Sequence, residues 1–282
     1  MPKAIDMHVH PPAPPGVPRT HVQEATRAYF RAPPPPKDVE EMAQYYAEQD
    51  VIGLVLASDW EDHVEEPRIS NDYVAEIVRR YPKQFIGFCS VDPWRGRKAI
   101  DEVRRSIEEL GLRGVKFHPS LQEFYPDDRR FYPLWEAIAK LGVPVLFHSG
   151  MTGFGAGLPG GGGVKFKYCR PIPHIDDVAA DFPELTIIMA HPAYPWVDEQ
   201  IAVLLHKPNV YMDLSGYSPK YIPSQLIQYA NTLLQDKVMF GSDYPFITPD
   251  RWLRDFEGAP FRDEVRSKIL KENAARLFGL QL

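Results

Sequence analysis

Cysteine is almost missing from this chain: Cys89 and Cys169 are the only two among 282 residues. Two cysteines build no disulfide framework, which points to a reducing compartment. No apolar stretch approaches the roughly 20 residues that a membrane-crossing helix needs. No long basic run is present either, and the formal net charge is −6. Nucleic acid and anionic membrane surfaces are therefore not expected partners. Where a signal peptide would carry its apolar core, the N-terminal segment has Asp6, His8 and His10, so the expected location is the cytoplasm. A Gly-rich phosphate loop after the first strand is also lacking, which disfavours an open, doubly wound nucleotide-binding sheet.

What the chain does have is ample apolar material, 44% of residues, with 25% charged. That supports a sizeable core in one large domain over residues 1–282 or two small ones, and the first is preferred. Proline is plentiful at 29, and many prolines follow apolar runs, where they end strands and shape loops.

The pattern opens on Ala4-Ile5-Asp6-Met7-His8-Val9-His10. As a regular strand it turns Ile5, Met7 and Val9 towards an apolar layer, and Asp6, His8 and His10 the other way. Two imidazoles about 7 Å apart along one face can grip one borderline metal ion; a pair of surface histidines is the alternative. The proline-rich segment 11–37 reads as a partly ordered loop with one short helix, placed over a site.

From Asp38 helices and apolar strands alternate. Strands are expected at 51–57, 85–91, 114–119, 144–150, 186–192, 210–216 and 238–245. Helices are expected at 38–49, 71–80 (capped by Asn71), 97–110, 131–141, 176–182, 197–205, 224–234 and 261–278. A long loop over 151–173 holds Gly160 to Gly163 and reads as a flexible lid. With the opening strand there are eight strand–helix units, the pattern of an α/β fold, a closed (β/α)8 TIM barrel.

Polar residues recur at the strand ends: His8 and His10, Lys116 and His118, His148, His191, Asp213 and Asp243. In a barrel these ends converge on one mouth, where active sites lie. Arg170, at the end of the lid loop, is either a surface charge or a fork for a substrate carboxylate. Arg19, His21 and Arg31 carry the same expectation more weakly. Trp60 and Trp196 either stack on a planar substrate or simply pack under loops.

Taken together, Asp6-Met7-His8-Val9-His10, Phe147-His148-Ser149-Gly150, Met189-Ala190-His191-Pro192, Phe240-Gly241-Ser242-Asp243-Tyr244-Pro245 and the terminal Glu272 to Phe278 resemble the amidohydrolase superfamily. The closer resemblance is to its amidohydrolase-related branch, which includes aminocarboxymuconate-semialdehyde decarboxylase-like and resorcylate decarboxylase-like enzymes. It implies that His8, His10, His148 and Asp243 ligate one divalent metal, zinc first and manganese as the alternative. It also implies that His191 acts beside that metal as a catalytic or substrate-contacting residue, with Asp243 exchanging a proton. In other branches a lysine at the fourth strand is carboxylated and bridges two metals. The preferred expectation here is one metal, with Lys116 as a structural or substrate-facing charge; Lys116, His118, Arg170 and Trp60 form the candidate substrate-binding set. The implied reaction is non-oxidative decarboxylation of a small aromatic or unsaturated carboxylate. The alternative is hydrolysis of an amide, ester or lactone by metal-bound hydroxide, and a more distant one is an inactive ligand-binding barrel. The resemblance also implies a homodimer as the common assembly.

Overall fold

In the computed structural model, which describes residues 2–281, the apolar runs become eight parallel strands paired in sequence order. They are β1 (Ala4–Val9), β2 (Val51–Leu56), β3 (Phe85–Ser90), β4 (Val115–Phe117), β5 (Val145–His148), β6 (Ile187–Ala190), β7 (Val210–Asp213) and β8 (Val238–Met239). The ring closes between the last strand and the first. The Met7 amide donates to the Phe240 carbonyl at 3.0 Å, Asp243 to His8 at 3.1 Å and His10 to Tyr244 at 2.8 Å. Among the described residues the first strand thus meets the segment that continues the last, and the barrel is nearly closed.

The strands carry apolar residues on both faces because both are covered. Ile5, Met7, Leu54, Phe88, Leu146 and Ile188 fill the barrel interior. Val55, Val115, Phe147 and Met189 point outward to a second layer, where helices lay down Tyr46, Val74, Ile138 and Leu204. The covering helices are α1 (His21–Phe30), α2 (Val39–Gln49), α3 (Asn71–Arg80), α4 (Arg97–Glu108), α5 (Tyr132–Leu141), α6 (His174–Asp181), α7 (Val197–His206), α8 (Ser224–Ala230) and α9 (Pro249–Glu257). No helix of the described residues is long and apolar enough to cross a membrane.

The expected short helix in the first loop is α1. Thr20 caps it in a reciprocal box with Gln23, and both side chains also bond Glu66. Thr26 on α1 accepts the Gly155 amide at 3.2 Å, so the two long loops are tied to each other over the mouth. The glycine run lies in a 3-10 turn whose Gly160, Gly161 and Gly162 have positive φ.

Several expected details differ. β1 is not a regular strand: Asp6 pairs with Gly53 but Val9 with Val55, three residues on β1 against two on β2. This bulge shifts the alternation. Ile5 and Met7 stay inside, Val9 joins the outer layer, and the Asp6 carboxylate turns to Tyr46 of α2 instead of sharing a face with His8 and His10. Regular pairing in β8 ends at Met239, with one further bridge between Tyr244 and Val9, because residues 241–245 turn to build the mouth. The terminal helix is interrupted: α10 (Asp263–Ser267) and α11 (Asn273–Phe278) flank a π turn over Lys268–Glu272. There the Ile269 carbonyl accepts the Phe240 amide at 2.7 Å. The cap of α3 is Ser70; Asn71 instead links the Ser90 amide to Glu102.

Interior packing depends on one missing side chain. A Cβ on Gly114 would lie 2.3 Å from Phe88 Cζ. Gly114→Ala is expected to cost about 1–3 kcal/mol by overpacking, read as a lower urea midpoint; an unchanged midpoint would contradict this packing.

Candidate metal centre

The mouth is built from short segments that leave the strands at their C-terminal ends. Five imidazoles form an arc around it. His118 stacks on His148 with ring centroids 3.9 Å apart, His148 lies 4.6 Å from His191, His191 4.7 Å from His8, and His8 5.1 Å from His10. His8, His118, His148 and His191 are buried, whereas His10 is about one-third exposed at 35%. His191 and Asp243 both have φ of 70°, in the left-handed region that non-glycine residues rarely occupy. Asp243 is held there by its amide bond to the His8 carbonyl. Beside His191, Gly216 also has positive φ, and a Cβ on it would come within 2.9 Å of His191 Nδ1.

Asp243 Oδ1 lies 3.3 Å from His10 Nε2 and 3.8 Å from His8 Nε2. Two ligands about 2.1 Å from a tetrahedral ion stand about 3.4 Å apart, so these three donors fit around one divalent cation. The ligand atoms of His8, His10 and Asp243 all lie within 4.8 Å of one another. His8 Nδ1 faces Asp213 Oδ2 at 3.5 Å, which places its proton on Nδ1 and turns the Nε2 lone pair to the site. Burial pushes the His8 and His148 pKa values well below the usual range, leaving neutral rings. For Asp243, burial alone would raise the pKa, but the His10 hydrogen bond and the neighbouring imidazoles outweigh it and hold the carboxyl low. Neutral imidazoles and an ionised carboxylate are the states that bind a metal.

A second group of three ligating side chains is His8, His191 and Asp213. Ser215 joins the last two: its hydroxyl donates to Asp213 Oδ1 and lies 2.7 Å from His191 Nδ1. The Asp213 carboxylate also accepts the amides of Ser215 at 2.9 Å and His191 at 3.3 Å. The sequence places Asp213 at a strand end without assigning it a role, and it does not single out Ser215. The readable signal was Asp-x-Ser after β7, two polar residues two apart.

The sequence-based candidates separate into those in the mouth and those outside it. His8, His10, His191 and Asp243 meet there. His148 faces the arc, but its Nε2 is 3.3 Å from the Met151 carbonyl and it belongs to neither tight group. Lys116 and His118 are buried in the mouth, and Trp60 meets the His118 ring edge-on at 5.8 Å. Arg170 lies elsewhere: it forks onto Glu199 of α7 at 2.6–3.0 Å in an exposed pair. Its neighbour Cys169 is the side chain that points inward, which leaves Arg170 directed to the surface. Arg19, His21 and Arg31 are exposed around α1, and Trp196 begins α7 as its N-cap residue. Because Asp213 orients His8 and neutralises none of the other ligands, Asp213→Asn is expected to weaken metal affinity 10–100-fold without unfolding the protein. Competition with a chromogenic chelator reads this, and unchanged affinity would remove Asp213 from the metal's support.

The chain is similar over most of its length to known proteins. Residues 5–280 match the profile of the amidohydrolase family. A 2-amino-3-carboxymuconate-6-semialdehyde decarboxylase of Dictyostelium discoideum is 26% identical over 249 residues, 78% of this chain and 68% of that protein. A gamma-resorcylate decarboxylase of Polaromonas sp. is 26% identical over 258 residues, 77% of each chain. An uncharacterized TIM-barrel protein of Bordetella bronchiseptica superposes with a TM-score of 0.84 at 28% identity, covering 98% of both chains. With the barrel, the ligand cluster and a match over nearly its whole length, the chain belongs to the amidohydrolase family.

Proposed function

We propose that this protein is a metal-dependent non-oxidative decarboxylase acting on a small aromatic or unsaturated carboxylate. The observation that carries the reading is the Asp213–Ser215–His191 chain set beside the His8, His10 and Asp243 cluster. The decarboxylase names of the Dictyostelium and Polaromonas relatives support the same reaction class.

His8, His10 and Asp243 would hold the divalent ion, with His148 as a fourth ligand once its ring turns from the Met151 carbonyl. Zinc suits this nitrogen-rich set best. When bound, the ion supplies positive charge that binds and orients the substrate's carboxylate or adjacent oxygen.

His191 is the proton carrier. Ser215 gives its own proton to Asp213, so it accepts from His191 Nδ1 and leaves Nε2 as the exchanging atom. Burial lowers the His191 pKa, while Asp243 and Asp213 oppose the fall. A bound carboxylate adds negative charge beside the ring and favours the imidazolium. In the reaction the imidazolium gives its Nε2 proton to the substrate carbon bearing the carboxylate. The bond from that carbon to the carboxylate then breaks, its electron pair restores the conjugated system, and carbon dioxide leaves. Neutral His191 regains a proton from solvent.

The test is to incubate zinc-loaded protein with 2,6-dihydroxybenzoate and related hydroxybenzoates and to measure carbon dioxide. Release is expected, and His191→Ala should lower kcat by 10²–10⁴-fold with metal content unchanged. Acid release from lactones or amides, with no carbon dioxide from any carboxylate, would replace this reading with hydrolysis.

A further inference from the structure

Three buried polar atoms in the barrel have no hydrogen-bond partner among the described residues and lie on β3, on β4 and just after β4: Ser90 Oγ, Lys116 Nζ and His118 Nδ1. The residues are 0%, 1% and 6% exposed. An unpaired buried donor is costly, and an unpaired buried ammonium costs more.

Their placement follows from register. Ser90 at the end of β3 pairs with Lys116 of β4, and Lys116 pairs with Leu146 of β5. Paired residues on neighbouring strands point to the same side, and Leu146 lies in the barrel interior. Ser90 and Lys116 therefore both point inward, one layer below the mouth. Two residues further on, His118 reaches the mouth itself, stacked on His148. Its Nε2 is 3.2 Å from Thr152 Oγ1, which already accepts the Phe154 amide. Thr152 Oγ1 has no other acceptor among the described residues, so giving its proton to Nε2 satisfies both groups and puts the His118 proton on Nδ1.

Of the candidate metal ligands, His8 and His10 stand at the end of β1 and Asp243 after β8, with His148 on β5; Ser90 and Lys116 stand on β3 and β4 and His118 just after β4, across the ring from the β1–β8 seam. His118 is at the opposite end of the imidazole arc from His10. Lys116 feels the charges of Asp213 and Asp243 without bonding either.

We propose that Ser90, Lys116 and His118 form a second anion subsite, which takes a second carboxylate of the substrate across the mouth from the metal. A hydroxyl, an ammonium and an imidazole N–H on and just after two strands match the two oxygens of a carboxylate better than the single oxygen of a phenolate. The substrate class is thereby narrowed to a dicarboxylate. This rests on the proposed carboxylate site at the metal, but binding alone tests it.

The experiment is calorimetric titration of zinc-loaded protein with isophthalate and with benzoate. Isophthalate is expected to bind at least ten-fold tighter. Lys116→Met should reduce that preference to under three-fold while benzoate affinity and zinc content stay the same, and Lys116→Arg should restore part of it. Ser90→Ala, a milder change, should lower the preference at least three-fold and carries the test if Lys116→Met does not fold. Equal binding of the two acids by the wild type, absence of isophthalate binding, or equal loss of both acids in the variants would overturn the subsite. Failure to release carbon dioxide from any acid, with the preference intact, would sink decarboxylation and leave the subsite standing. Equal binding of the two acids by the wild type, with carbon dioxide release intact, would do the reverse.

Discussion

The buried Asp6 carboxylate is the constraint on which the mouth depends. It is fully buried and accepts the Ser242 amide at 2.7 Å, the Ser242 hydroxyl at 2.5 Å, the Tyr46 hydroxyl at 2.9 Å and the His8 amide at 3.2 Å. One side chain thus joins the first strand, the turn after the last strand and the covering helix α2. Burial pushes its pKa up to about 7, against the pull of the Ser242, His8 and Tyr46 hydrogen bonds. Because Ser242 precedes Asp243 and Asp6 stands two residues before His8, the same clasp that closes the ring sets the distance between the candidate ligands. Closure of the barrel and assembly of the candidate ligand set are one event.

Around that seam, burial sorts charge. It disfavours the protonated forms of His8 and His148 and lowers the Lys116 ammonium to about 8. The imidazole contacts meanwhile keep Asp243 ionised. Neutral nitrogens with an anionic carboxylate along β1 and after β8, and unpaired donors on and just after β3 and β4, give the mouth two unlike sides. A cation suits the first side and an anion the second. The left-handed backbone at His191 and Asp243 has a cost of order 1–3 kcal/mol per residue, which the surrounding hydrogen bonds offset. Such conformations persist where a side chain must be aimed, as both of these are.

Much of this was legible in the residues. Alternation of apolar runs with helix-period segments was enough for a closed parallel barrel, because a parallel strand buried on both faces must read as continuously apolar. Polar residues at the ends of His8–His10, His148, His191 and Asp243 segments located the mouth for the same reason. The bulge in β1 was not legible: strict alternation was assumed, and only the pairing partner Gly53, followed by Val55, reveals the extra residue. Chain proximity puts Arg170 beside the lid, which says nothing of which way its side chain leaves the 3-10 turn Phe166–Cys169. The π turn at Lys268–Glu272 depends on a tertiary bond to Phe240 that periodicity cannot express. Asp213 and Ser215 were hidden because their partners, His8 and His191, lie 205 and 24 residues away.

Anomalous diffraction at the zinc edge from crystals of zinc-loaded protein tests the central claim most directly. One peak is expected between β1 and the turn after β8, about 2.0–2.2 Å from the Nε2 atoms of His8 and His10 and an Asp243 oxygen, with the His148 ring turned towards it. A peak elsewhere on the molecule, or one that His8 and Asp243 do not share, would contradict the account.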